Sequence, residues 1–569
     1  MGFLPNLLVG RHGRAAAFFL LYLTEGIPQG FATGMVATHL RRLGVGPAEI
    51  GATLGLIMLP WAFKWAYGPL IDVLGLGRIG RHGRRRGWIL LTQSMMVLTL
   101  LVLPLLELPA QLGLFGALLL VHNLFGAMQD VAVDGLACNS LKENERAFAS
   151  GLMFAGQHMG MLVGGSGALF LSAWLGFQPL ALFIALAIAL VTWLVVLPMR
   201  EDEATAAQAP AEPRASAIAS AGREIRRFAI EAFGAFLGSR RAFGGLLFGL
   251  LPIAAMSLSL SLQSMLAVDL GLSNQDVAWL GTASALLTAI SCVLGGLLSD
   301  RIDRRRALAV YIVLISLPVL YLASALQQHG WLMPSSGKQA AAGLIQAFWI
   351  ATLAYHLANG LIYGARAALF MDVTRPAVAA TQFAVFMALT NLSIAYSSVW
   401  QGIAVEQWGY PKTLLVDALF GLSSIVFLPM MGRQLAGDGE ALAGRRARQL
   451  ALVLGLLCWA WLPFHHYGAQ LGAGQKIGQL LFSVIFVAAA LFLLAAGALL
   501  ARRALALAAL ALLLMHGRQQ IEALAGGPLL LDLVPLAGGL LLLLLARQRW
   551  SALEPAAPIS SQPIEAVPA

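Results

Sequence analysis

Charge is scarce in this sequence. Asp, Glu, Lys and Arg make up 11% of its 569 residues, against about 25% in an ordinary soluble protein. With 59% of the residues A, V, I, L, M, F, W, Y or C, and 60 glycines besides, too little polar surface remains to cover a water-soluble exterior. That excludes a cytosolic or secreted globular enzyme. Cysteine is scarce too. Cys138, Cys292 and Cys458 lie far apart inside apolar runs, with neither metal-site spacing nor the number for a disulfide framework. They read as buried thiols acting as small hydrophobes. No G-x-x-x-x-G-K-S/T loop occurs, so direct ATP drive is not expected. His465, His466 and His516 lack partnered carboxylates, so no catalytic cluster, metal site or cofactor is expected.

What the chain does have is apolar runs, each near the 20 residues that cross a bilayer as a helix. Six fall at residues 15–36, 50–73, 88–106, 112–136, 147–171 and 179–197. A polar stretch over 199–241 follows, then six more runs at 243–268, 277–298, 307–326, 340–365, 377–403 and 414–431. Further runs at 450–463, 477–500, 504–515 and 528–546 predict two to four additional spans. The expected fold class is an all-α polytopic membrane protein. Its expected parts are a six-helix bundle at 1–198, a linker with an amphipathic helix at 199–242, a second bundle at 243–432, extra helices at 433–548 and a disordered tail at 549–569.

Basic residues set the orientation. Arg78, Arg81, Arg84–Arg86, Lys142, Arg146, the arginines of the linker, Arg301, Arg304–Arg306, Arg433 and Arg445–Arg448 all fall on one side. Only Arg41, Arg42, Lys338 and Lys412 oppose them over the same region. Both termini are therefore expected in the cytoplasm, with the protein in the cell inner membrane. The +10 formal charge follows from this topology, and no nucleic-acid partner is expected.

Gly68 to Asp72, followed by a basic loop, recurs as Gly296 to Asp300 and Arg301, followed by Arg304–Arg306. This repeated glycine–acid–arginine arrangement resembles the signature loop of the major facilitator superfamily, present in both halves. The resemblance implies two pseudo-symmetric bundles rocking about a central site. It also implies that Asp72, Arg84 and Arg85, with Asp300, Arg301 and Arg304, latch a gate. Phe63, Lys64, Pro69 to Asp72, Arg84 to Trp88 and Met128 to Gly135 are similar to motifs of one branch. That branch holds AmpG-like muropeptide permeases, acetyl-coenzyme A transporters and certain siderophore permeases.

Ionisable groups inside spans are costly and mark function by default. Glu25 lies mid-span beside Gly26 and Pro28, where a kink could open the backbone to solute, and it is a proton-carrier candidate. Lys64 lies mid-span on the second run. Asp130 and Asp134 are spaced i,i+4, so they share one helix face, with Gln129 adjacent. A Lys64–Asp130 pair is assigned to function, because a buried ion pair seldom repays its desolvation in stability. Asp134 reads equally as a latch to Arg146 or as part of the site. His158 reads as a proton carrier or as a packing histidine, and Gln157 beside it as a hydrogen-bond donor. Asn359 and Arg366 on the tenth run complete the set, Arg366 facing substrate carboxylates.

The expected function is a proton-coupled secondary transporter, not an enzyme, importing a bulky polar solute such as an anhydro-muropeptide. Its expected partners are that solute, protons and the bilayer, and the expected state is a monomer. The alternatives are a siderophore permease of the same branch and a non-transporting assembly factor or sensor.

Overall fold

The computed structural model describes residues 5–73, 76, 83–141, 146–201, 234–335, 339–374, 379–432, 440–471, 473–500, 503–515 and 533–548. Among them the secondary structure is helical throughout, with no strand. Helix α1 spans 11–42, with a π-helical stretch at Phe31–Val36, and α2 spans 47–73, with a 3-10 stretch at Leu59–Phe63. The first half is completed by α3 (Arg84–Leu105), α4 (Leu112–Ser140), α5 (146–175) and α6 (Gln178–Val196). In the second half α7 is two pieces, Arg240–Leu250 and Ser261–Asp269. It is followed by α8 (Asn274–Arg301), α9 (Arg304–Gln328), α10 (Ala342–Val373), α11 (Ala379–Trp408) and α12 (Tyr410–Met431). Four more helices follow: α13 (Glu440–Tyr467), α14 (Ala473–Leu499), α15 (Arg503–Leu514) and α16 (Leu533–Arg547).

Ten described helices are long and apolar enough to cross a membrane. Of α1 to α12, those that fall outside this set are α1, α2, α7 and α10. The reason is physical. α7 is broken part-way, and α1, α2 and α10 carry polar or charged residues in their spans: Glu25 and Gln29, Lys64, and His356, Asn359 and Arg366. A helix lining a polar centre cannot be apolar all round.

The break in α7 corrects the continuous seventh run expected at 243–268. Pro252 has no backbone N–H and its ring crowds the preceding turn. Ala254 then takes a positive φ of 82°. The backbone groups freed by the break must find partners. Asp417 of α12 accepts the N–H groups of Met256 and Ser257, both at 2.9 Å, and Gln401 of α11 holds its other oxygen at 2.9 Å. Tyr355 of α10 donates to Ala255 O at 2.8 Å, and Tyr396 of α11 to Leu250 O at 2.7 Å. Three neighbouring helices thus support the break.

The chain divides into two compact units: residues 1–225, 245–373 and 383–429, and residues 226–244, 374–382 and 430–569. The first holds α1–α6 and most of α7–α12. Its core in the first half includes Phe18, Leu21, Ile71, Trp88, Val133 and Val195. The second unit has a core of its own, in which Cys458, Trp461, Phe486, Leu493, Leu512 and Leu542 pack with Leu237. α15 and α16, at 12 and 15 residues, are short for the 20 residues of a straight span.

The amphipathic helix expected at 223–237 falls mostly outside the described residues. Its described end departs from the membrane-surface expectation, since Phe236 and Leu237 are buried in protein and Leu237 joins the core of the C-terminal helices. The tail expected to be disordered lies outside the described residues. Cys292 and Cys458 are free thiols, the latter buried.

Candidate functional site

Two polar clusters occupy the interior of the first unit. The first is built by α1, α2, α4 and α5. Lys64 and Asp130 form an ion pair, and the Lys64 ammonium lies 5.1 Å from the centre of the Trp61 ring. Trp61 donates to Asn123 at 3.0 Å, fixing the ring. Asp134, one turn beyond Asp130, accepts the hydroxyl of Tyr22. Glu25, 4% exposed, accepts from Gln157 Nε2 at 2.7 Å. Lys64, Asp130 and Asp134 all lie near enough to act on Glu25 electrostatically. Three carboxyl groups therefore gather around one ammonium, Glu25 and Asp130 buried, Lys64 half-buried and Asp134 exposed.

Gln129 supports this cluster rather than belonging to it. Its Nε2 reaches Thr24 Oγ1 at 3.0 Å and Leu21 O at 3.3 Å. Gln93 meets the same hydroxyl at 3.1 Å and is held by Thr192 at 2.7 Å. His158 contacts Phe154 O of its own helix through Nδ1 at 2.9 Å, in keeping with the packing alternative. The expected backbone opening at Gly26 is corrected. A Cβ there would lie 2.0 Å from Gln157 O, so α5 fills the space.

The second cluster lines a cavity of about 90 Å³ between the halves. Gln29 and Thr33 of α1 face Ser259 and Ser261 at the α7 break, and Asn359, Tyr363 and Arg366 of α10. Arg366 is 7% exposed, its guanidinium 4.5 Å from the Tyr363 ring centre, and its Nε has no hydrogen-bond partner. The second piece of α7 begins at Ser261 beside this cavity. Helix N-termini present unsatisfied N–H groups and attract negative charge. A buried cation with spare donors, beside hydroxyls and a helix start, suits an anionic polar solute.

At one end of the unit the halves are fastened together. Arg41 of α1 donates to Asp269 of α7 at 2.6 and 3.0 Å, and Tyr410 of α12 donates to the same carboxylate at 2.6 Å. Arg42 reaches Leu272 O at 2.7 Å and Asn274 at 2.8 Å, while Glu406 of α11 accepts from the N–H of Ala48 at 2.9 Å. Both α1 and α7 end here on a positive-φ glycine, Gly44 at 83° and Gly271 at 84°. Sequence reasoning missed this fastening. Its signal was the isolation of Arg41 and Arg42 on the side where basic residues are rare.

At the other end, Arg304 pairs with Asp372 through two contacts of 2.7 Å, both residues belonging to the second half. Arg301 is exposed. Arg84 and Arg85 both make polar or electrostatic interactions, and the Arg85 guanidinium covers Gly135. The side chains of Asp72, Asp300 and Arg146 lie outside the described residues. Glu201 accepts the N–H of Arg86 at 2.6 Å, and burial pushes its carboxyl above the ordinary range.

Comparison with known proteins decides the family. The model of the Major Facilitator Superfamily matches residues 15–267 and 249–517. The chain belongs to the major facilitator superfamily. Relatives within this superfamily include the anhydromuropeptide permease of Escherichia coli K12, 24% identical over 430 residues that cover 74% of this chain and 80% of that protein. The putative transporter AmpG 4 of Rickettsia conorii is 27% identical over 191 residues, 33% of this chain and 46% of that protein. Among solved superfamily structures, a D-xylose–proton symporter matches with a TM-score of 0.54 at 12% identity, covering 75% of this chain and 98% of that one. The nucleoside transporter NupG matches at 0.52 and 11%, covering 74% and 100%. These two similarities establish the fold. The superfamily and its AmpG-type relatives are permeases rather than enzymes, so this is a multi-pass membrane transporter of small solutes.

Proposed function

We propose that this transporter is a monomeric, proton-coupled importer of an anhydromuropeptide-class solute in the inner membrane, with both termini cytoplasmic. The observation that carries the coupling is the Lys64–Asp130 pair with Glu25 and Asp134 beside it. Three carboxyls against one ammonium hold surplus negative charge, two of them, Glu25 and Asp130, buried, and a bound proton removes part of it. That makes the cluster a natural proton site. Solute specificity is assigned to the cavity of Arg366, Asn359 and the α7 break. The carboxylates of a peptide-bearing sugar would take the unpartnered Nε of Arg366 once the halves part, and its hydroxyls the serines and Asn359. The present cavity is far too small for such a solute, so loading requires the halves to part. Proton and solute bound together would lower the cost of exchanging one closed end for the other.

Reconstituted proteoliposomes test this directly. Radiolabelled anhydromuropeptide is expected to accumulate when the outside is made acidic, and to stop doing so in Asp130→Asn. Uptake indifferent to an imposed pH gradient would remove the proton from the mechanism. Absence of anhydromuropeptide uptake by well-folded protein would remove the substrate.

A further inference from the structure

The C-terminal unit carries a feature that transport by α1–α12 does not use. α13 and α16 cross closely at Gly455 and Gly539, where a Cβ on Gly455 would stand 3.0 Å from Gly539 O. Trp459 closes the same contact with a hydrogen bond to Leu536 O at 3.2 Å. On the other side of the Gly455–Gly539 crossing from Trp459, the pair leaves a groove of about 550 Å³. Arg445, Arg448, Gln449 and Leu452 line it from α13, at i, i+3, i+4 and i+7. Leu540, Leu543, Leu544 and Arg547 line it from α16 with the same spacing. The helices run in opposite directions, so the start of one and the end of the other bring all three arginines to one mouth. Among the described residues no carboxylate lines this groove.

We propose that this groove binds an anionic phospholipid, its phosphate held by Arg445, Arg448 and Arg547 and one acyl chain lying along Leu452, Leu540 and Leu544. Charge and shape both select this occupant. Guanidinium groups match phosphate oxygens in pairs, and basic pockets between spans at the cytoplasmic face recognise acidic head groups. A free phosphate would use the arginines and leave the leucine wall idle. A zwitterionic lipid would use the wall and bring no net charge to the three cations.

The test uses the purified full-length protein, delipidated and titrated with fluorescent phosphatidylglycerol. Unlabelled phosphatidylglycerol is expected to displace the probe, phosphatidylcholine to do so on the order of 100-fold less well, and millimolar inorganic phosphate not at all. The triple variant R445Q/R448Q/R547Q is expected to lose binding by a similar factor, and R445K/R448K/R547K to keep most of it. Equal displacement by phosphatidylcholine overturns the proposal, as does displacement by inorganic phosphate or unchanged binding by the glutamine variant. The competition series on unaltered protein decides the matter even if a variant folds poorly.

Discussion

Arg41 of α1 and Asp269 of α7 form a two-bond ion pair across the halves, at positions 228 residues apart. Asp72 and Asp300, the acids of the repeated loop, stand at the same offset. The pair therefore joins nearly equivalent places in the two halves, close to the turns at Gly44 and Gly271. Arg41 and Asp269 are 6% and 0% exposed. Removing one partner of a buried ion pair costs about 3–5 kcal/mol, because the other charge is stranded. Asp269→Asn is expected to open this end, raising labelling of single cysteines placed beside the central cavity, by reagent added on the side of Gly44 and Gly271, by tenfold or more. The exchange R41D/D269R should bring labelling back towards the unaltered level. Unchanged labelling in Asp269→Asn would show that the pair does not hold the gate.

Lys64 and Asp130 are coupled in the same sense, inside one half. Lys64→Gln leaves three carboxyls without a cation, while Asp130→Asn leaves the ammonium with Glu25 and Asp134. Each is expected to reduce proton-driven uptake by about 100-fold. The double variant is expected to be more stable to heat than Lys64→Gln alone, since the surplus charge is smaller. Paired thermal-melting and uptake measurements separate the two effects, and a double variant that transports normally would show the pair to be structural.

Much of this was legible in the sequence, because membrane helices declare themselves by length and polarity. The i,i+4 spacing of Asp130 and Asp134 placed both carboxylates on one face, and Lys64 was the cation that could reach it. Partners across helices were not legible. Nothing along the chain links Tyr22 to Asp134, Gln157 to Glu25 or Asp417 to Met256, since those contacts arise from packing. The α7 break was written in Pro252 and the serines after it, yet hydropathy alone reads straight through them. His158 reads two ways in the sequence, proton carrier or packing histidine, because residue type is visible there and helix rotation is not. The Arg41–Asp269 fastening was hidden by topology counting, which treats a basic residue on the wrong side as noise.

Gly160 on α5 sits where α1 passes. A Cβ there would lie 2.4 Å from Leu23 O and 2.8 Å from the N of Ile27, and neither backbone can yield without moving the helix. Small residues allow such approach between spans. Gly160→Val is expected to lower the melting temperature by at least 5 °C in detergent. Gly113, with open space around it, is the control position. Equal melting of the Val variants at both sites would contradict the packing account.

Asp303 caps α9, accepting the N–H groups of Arg305 and Arg306 at 3.1 and 3.2 Å. The Arg305 side chain beside it, at 2.9 Å, leads the effects that hold its carboxyl below the ordinary value. A depressed carboxyl adds stability that is present above its unfolded pKa of about 3.9 and is lost as pH falls through the folded value. Asp303→Ala is therefore expected to cost about 1 kcal/mol at pH 7. The difference should shrink steadily below pH 4. Thermal melts of both proteins from pH 7 to pH 3 check the sign, and a gap that widens on acidification contradicts it.

Arg366 supplies the last test, because its two possible duties separate by experiment. If it only packs against Tyr363, Arg366→Lys and Arg366→Gln should both damage folding, and the proteins that do fold should transport with the original affinity. If its unpartnered Nε receives a solute carboxylate, both variants fold and the loss falls on binding. Loss of a charge-assisted hydrogen bond in a dry site is worth about 1.5–3 kcal/mol, which is about 10- to 150-fold in apparent KM. Arg366→Gln is expected to show that rise. Arg366→Lys keeps the charge but not the fork geometry, and so should fall between. A solute analogue whose carboxylates are amidated should then be transported equally poorly by all three proteins, because the partner of Arg366 is gone from the other side. Discrimination between the analogue and the native solute that persists in Arg366→Gln would place carboxylate recognition elsewhere in the cavity.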